Sequence, residues 1–192
     1  QEAIPEVLKR AKDILVLSVG AILKIPRFHQ LAAESRGRVY IPSGAIGGID
    51  AVLAAKVGQI HSVRITTRKP LGSLVGAPYF AKNGFWVRRI KKPTLIFEGN
   101  VSQAVRNFPE NVNVAATLSL AGIGPAKTRV RIFTSPTYHR NVHEIEVKGG
   151  FGRLLFQITN LPARGNPKTS ALAIGSAVAT LEKIFSRIKI GT

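Results

Sequence analysis

Between residues 127 and 162 three stretches follow one another at short spacing, "KTRVRIFTS", "NVHEIEVKGG" and "GRLLFQITNLP", and each alternates polar with apolar residues. A period of two belongs to a strand with one face in a core and the other outside it. "IHSVRITTRK" (60–69) alternates in the same way. In "NVHEIEV" (141–147) the period puts Asn141, His143 and Ile145 on one side and Val142, Glu144 and Glu146 on the other. Between and after these strands, "GNVSQAVRNFP" (99–109), "NVNVAATLSLAGIG" and "TSALAIGSAVATLEKIFSRI" (169–188) carry helical patterns. Strands with helices on one face make an α+β layer.

The first sixty residues have a different style. "EAIPEVLKRAK" (2–12) predicts a helix with Ile4, Val7, Leu8 and Ala11 on one face. "DILVLSVGAI" (13–22) is a continuous apolar run and predicts a strand buried on both sides. "FHQLAAESRG" predicts a helix capped by Gly37, and "VYIPSGAIGGIDAVLAAKVG" a strand, a Gly-rich turn and a helix. Alternation of helix and strand is α/β in character. The expected division is therefore 1–60, an α/β portion, and 61–192, an α+β domain whose closing helix can pack back on the first part. No apolar run reaches the length of a membrane span, about 18 residues. A cytoplasmic chain is expected.

Cysteine is absent, which excludes disulfides, thiol catalysis and zinc–thiolate sites. The four histidines are scattered, "HExxH" fails because position 147 is Val147, and no metal site is expected. No "GxSxG" nucleophile elbow occurs.

Charge is the strongest compositional signal. Lys and Arg number 28 against 10 Asp and Glu, a formal net charge of +18. A surface that lies along a polyanion gains from positive charge at every phosphate contact. "GFWVRRIKKP" (84–93) sets Trp86 beside Arg88, Arg89, Lys91 and Lys92, with Lys82 just before it. Such a cluster can hold phosphates and stack a base, or be a solvated loop with aromatics plugging the core. Arg64 and Arg68 share one strand face, Arg129 and Arg131 another, and Lys69 adjoins the first pair. Two such strands could form a basic sheet face or a subunit contact. Arg164 and Lys168 in "RGNPKTS" add a basic loop.

The order of "LVLSVGA" (15–21), "PSGAIGGIDAV" (42–52), "TTRKP" (66–70), "FEGNVSQAVRNFPENVNVAATLSLAGIG" (97–124), "NVHEIEVKGGFG" (141–152) and "NPKTSALAIGSAVATL" (166–181) resembles the L-aspartate dehydrogenase family. The resemblance covers almost the whole chain. It implies a Rossmann domain for NAD(P), of which 1–60 is a partial portion, an α+β domain for substrate and subunit pairing whose open mixed sheet is covered by helices on one face, and reversible oxidation of L-aspartate to iminoaspartate. It further implies that Ala45 and Asn113 contact the cofactor and that His143 is the acid/base catalyst. From the residues alone His143 is equally a structural histidine bonded to a neighbouring strand.

The chain departs from the family in two respects. The family's opening strand, "GxGxxG" and helix, which hold the pyrophosphate, do not occur after Gln1; "GIGPAK" (122–127) and "GGFGRL" (149–154) lack the required context. Acids are also scarce: Ser135 and Ala126 stand where the family commonly has acidic residues. Together these favour a family fold reassigned to structured RNA, ribosomal RNA above all, within a ribonucleoprotein particle, with no bound cofactor and no catalysis. Arg64, Arg68, Lys69, Lys82, Trp86, Arg88, Arg89, Lys91, Lys92, Arg129, Arg131, Arg164 and Lys168 are its expected phosphate contacts. The alternative is an NAD(P)-dependent L-aspartate dehydrogenase, possible as a homodimer, whose pyrophosphate unit precedes Gln1.

Overall fold

A computed structural model describes residues 2–83 and 89–191. Its largest element is a five-stranded sheet of β3 (Ile60–Pro70), β4 (Thr94–Asn100), β5 (Arg129–Ser135), β6 (Asn141–Gly149) and β7 (Gly152–Asn160), in the order β4-β5-β3-β6-β7. The long β3 is central. It runs parallel to β5 and antiparallel to β6, while β4–β5 and β6–β7 are antiparallel. The sheet is therefore open and mixed, as the family resemblance implies.

Parity decides which side chains meet the core. Val63 and Ile65 of β3, Val130 and Ile132 of β5, and Ile145 and Val147 of β6 are all essentially inaccessible. Helices α4 (Ile49–Val57), α6 (Val101–Asn107) and α7 (Asn113–Ala121) bring Val52, Val101, Ala104, Val105, Ala115 and Leu118 into the same core. Phe108, fully buried, stacks on Tyr79 of α5 (Pro78–Asn83) with ring centroids 5.0 Å apart and meets Phe97 edge-on at 5.5 Å. α6 starts where it does because Asn100 and Gln103 cap one another: each side-chain oxygen accepts from the other's backbone N–H at 2.9 Å.

The registers carry two irregularities. One lies in β3 between Ile60 and Ser62, at the end where β6 finishes with Gly149. The other lies in β4 between Leu95 and Phe97.

A smaller core sits in the first forty residues. β1 (Ile14–Leu15) pairs in parallel with β2 (Val39–Tyr40). α1 (Ala3–Lys9), α2 (Val19–Ile22) and α3 (Phe28–Glu34) surround that pair. Ile4, Leu8, Val16, Val19 and Ile22 fill this core together with Ala116 of α7. The run 13–22 is thus not one strand. It pairs for two residues and then turns into α2, whose Val19 and Ile22 are buried as a helical face. An apolar run satisfies either geometry, so periodicity cannot separate them.

Gly37 does not cap α3. The helix ends at Glu34, and Ser35 is already extended. Gly37 is instead pressed on Lys12, where a Cβ would lie 2.2 Å from the Lys12 carbonyl oxygen. Close backbone approach, not helix termination, requires glycine there.

The chain closes with β8 (Pro162–Ala163) and β9 (Asn166–Ser170), paired with each other, and α8 (Ala171–Phe185). No described residue of α8 is buried, and Leu172, Ile174, Val178, Leu181 and Phe185 are exposed. Among the described residues no helix is long and apolar enough to cross a membrane.

Candidate functional site

Thr67 and Lys69 follow Val63 and Ile65 on the inward face of β3, and Asn141 and His143 precede Ile145 on the inward face of β6. The period that buries the core thus carries polar groups inward at the end where β3 stops and β6 begins. There Lys69, Asn141 and His143 line a cavity of about 410 Å³. That volume lies within the range of small-molecule sites, roughly 300–1,000 Å³. Its walls are Val16, Ser18 and Val19 from the first core, Gly44 and Ala45 from the Gly-rich turn, Asn113, Val114 and Thr117 from α7, and Ala173, Ile174 and Ser176 from α8.

The polar groups are held on separate supports. Thr67 Oγ1 lies 3.0 Å from His143 Nδ1, directly across the β3–β6 register. That bond fixes the imidazole and leaves Nε2 as the nitrogen for a ligand. Lys69 Nζ donates to Asn141 Oδ1 at 3.5 Å, one alternate position further along the same strands. The Lys69 carbonyl accepts from Thr134 Oγ1 at 2.8 Å. Asn113 Oδ1 accepts the Gly20 N–H at 3.0 Å, which ties α7 to α2. Asn160 Nδ2 donates to the Ala45 carbonyl at 2.9 Å, and Ser170 Oγ donates to Asn160 Oδ1 at 2.7 Å. Ser176 Oγ accepts the Gly44 N–H at 3.0 Å. The turn needs glycine at 48, where φ is +77° and a Cβ would meet the Phe156 ring at 2.6 Å.

Two titratable groups are buried here. Lys69 is 7% exposed, and burial lowers its pKa to about 8. His143 is 3% exposed; burial first, and the nearby Lys69 cation second, lower its pKa to about 3. At neutral pH His143 is therefore a neutral imidazole beside a largely charged amine. Among the described residues no carboxylate forms an ion pair with Lys69. No group of histidines and acids that could hold a metal occurs among them either.

The basic positions do not form one phosphate-binding surface. Arg64, Arg68, Arg129 and Arg131 do share the outer sheet face, but acids share it with them. Arg64 pairs with Glu146, which also takes Arg153 at 2.8 Å and Lys148 at 3.3 Å. Arg68 pairs with Glu144 at 3.5 Å, and Arg131 lies 3.5 Å from Glu98 with its guanidinium 5.2 Å from the Phe133 ring centroid. Partial burial pushes the Glu146 carboxyl up, but Lys148, Arg64 and Arg153 together outweigh it and hold it below its ordinary value. Lys69 points the other way, into the cavity. Lys82, Arg89, Lys91, Lys92 and Arg164 are exposed on other segments. Trp86, Arg88 and the Lys168 side chain lie outside the described residues. Sequence reasoning assigned Lys69 to RNA and overlooked Thr67, Asn141, Asn160 and Ser176. Parity on β3 separates Lys69 from Arg64 and Arg68 and was the available signal.

The family model for the C-terminal domain of aspartate dehydrogenase matches residues 50–184. The chain is 49% identical to the L-aspartate dehydrogenase of Methanosarcina barkeri, over 98% of this chain and 71% of that protein. It is 48% identical to that of Methanocella arvoryzae, over 100% of this chain and 74% of that protein. The crystal structure of aspartate dehydrogenase from Thermotoga maritima superposes with a TM-score of 0.77 at 31% identity, covering 99% of this chain and 74% of that one. These relatives overturn the expectation of an RNA-binding component of a ribosome or similar particle. Net charge was a poor guide because it does not say on which faces of the fold the cations lie. Sequence identity along the whole chain, the matched domain and the shared fold place this chain in the aspartate dehydrogenase family.

Proposed function

We propose that this protein is an NAD(P)-dependent L-aspartate dehydrogenase, interconverting L-aspartate and iminoaspartate. The observation that carries this reading is the cavity itself, which sets a buried neutral histidine and a buried amine beside the Ala45 turn and Asn113. In this reading residues 1–60 serve the nucleotide side and residues 61–192 the substrate side. The residues present fit a nicotinamide. Val16, Val19, Val114 and Ile174 offer apolar walls for a flat ring, and the Asn113 carboxamide is anchored through its oxygen, which leaves its NH2 group for the ligand. Ala45 and Asn113 would hold that ring, whose chemistry is hydride exchange with the substrate α-carbon. The expectation that no dinucleotide binds gives way accordingly.

His143 then has a defined task. In the oxidative direction its Nε2 accepts a proton from the substrate amine; in the reverse direction it returns that proton to the imine nitrogen. A neutral imidazole is required for the first step, and burial supplies it. Thr67 keeps the ring in place during both. The encircling walls limit water, which would hydrolyse an imine.

The test is aspartate-dependent reduction of NAD(P)+ by the full-length gene product. His143→Ala is expected to lower kcat by about 10²–10⁴-fold, the usual worth of a positioned acid/base. Absence of turnover in the wild type, or full turnover in the variant, would overturn the proposal.

A further inference from the structure

A buried ammonium with only a long hydrogen bond to an amide is an unusual thing to keep. Lys69 is 7% exposed, its Nζ reaches Asn141 Oδ1 at 3.5 Å, and it faces a cavity rather than packed core. Taking a charge out of water is costly unless a counter-charge replaces the water. On the outer sheet face every comparable cation of β3 has its acid: Arg64 has Glu146 and Arg68 has Glu144. The other titratable groups lining the cavity are His143 on β6 and Glu110, which lies before α7. Neither is paired with Lys69 among the described ion pairs.

We infer that Lys69 and Asn141 form the carboxylate subsite of the cavity, and that a substrate carboxylate is the counter-ion Lys69 lacks. The subsite lies two residues along the strands from the Thr67–His143 pair, a step of about 6.7 Å. A compact amino acid spans such a step, with its amine toward His143 and a carboxylate on Lys69. The arrangement also couples binding to chemistry. Lys69 is one of the two influences that depress the proton affinity of His143. A carboxylate that neutralises Lys69 relieves that influence, so His143 becomes a better base only when the substrate is seated.

This inference rests on the dehydrogenase reading, and its test separates the two. Succinate, which has two carboxylates and no amine to oxidise, and butyrate, which has one, are titrated calorimetrically into the full-length wild type, Lys69→Met and Lys69→Arg. Succinate is expected to bind the wild type and to weaken about tenfold or more in Lys69→Met, with partial recovery in Lys69→Arg. Its wild-type affinity should fall as pH rises through about 8, and this fall should vanish in Lys69→Met. Butyrate affinity in the wild type tells whether one carboxylate suffices. The His143 ring, followed by NMR, should titrate higher with succinate than without it. A Tm in Lys69→Met no lower than that of the wild type shows that the variant is folded.

Wild-type turnover with undiminished succinate binding in Lys69→Met overturns the subsite and leaves the dehydrogenase standing. Succinate binding that is present in the wild type and lost in Lys69→Met, with no aspartate turnover in the wild type, supports the subsite and removes the dehydrogenase. If both hold, Lys69→Met should raise the KM for aspartate at least tenfold and change kcat less.

Discussion

Arg64 and Lys69 belong to the same strand and lie on opposite faces of the same sheet. Arg64 is half exposed and sits in a cluster where Glu146 gathers Arg64, Lys148 and Arg153. Lys69 is buried and faces no acid within ion-pair distance among the described residues. On the outer face Arg64, Arg68 and Arg131 each have an acid of the chain within ion-pair distance. The inner face stops being apolar at Thr67 and thereafter carries groups whose partners are incomplete. A sheet can thus be structural on one side and chemical on the other with no change in backbone, because alternate residues share neither neighbours nor dielectric.

The largest way to break this comparison is to exchange the roles of the faces. His143→Ala should cost about two to four orders of magnitude in kcat, whereas Arg64→Gln on the outer face should leave kcat within about twofold. Steady-state kinetics on the two variants check this, and equal losses would show that the faces are not independent.

Stability should respond in the opposite sense. The Lys69 amine has a folded pKa of about 8 against an ordinary 10.5. Between those values the unfolded chain binds more protons, so stability rises with pH through this window. Below about pH 8 the charged amine costs folding about 3 kcal/mol, and Lys69→Met should recover a cost of that order and flatten the alkaline rise. Urea unfolding at pH 7 and pH 10 measures both. His143 gives the acid counterpart. Its folded pKa of about 3 lies below the ordinary 6.5, so the unfolded chain takes up the proton first and stability is lost as pH falls through that window. A buried apolar substitute at 143 should blunt that loss.

On the outer face the effects are smaller. Glu146→Gln should lower Tm by a few degrees, because three cations lose their shared acid. Glu144→Gln should change stability by about 0–1 kcal/mol, less at high salt, since Arg68 and Glu144 are each partly exposed and 3.5 Å apart.

Much of this architecture was legible in the sequence, and the exceptions share a cause. Strands β3, β5, β6 and β7 follow from alternation, and α6 from the helical pattern of "GNVSQAVRNFP". The run 13–22 misled because Val19 and Ile22 are as apolar in a helix as in a strand. At the site, His143 came from family resemblance, while Lys69 could have come from parity: it shares its odd register with Val63 and Ile65, not with Arg64 and Arg68. The acids that answer the outer arginines were hidden for another reason. Glu146 is far from Arg64 along the chain and meets it only when β3 and β6 pair. Counting charge could not reveal that neutralisation; only register could.

The irregularity in β3 between Ile60 and Ser62 bears on how this strand tolerates change in length. Everything from Val63 to Lys69 depends on odd and even positions keeping their sides, and one added residue within that span would turn Lys69 outward and Arg68 into the cavity. The irregularity stands before that span, at the far end of the strand. A bulge already accommodates an unmatched residue. Variation arriving from the α4–β3 connection can be absorbed there as a local kink, so the loop can drift in length while the inward-facing groups keep their address.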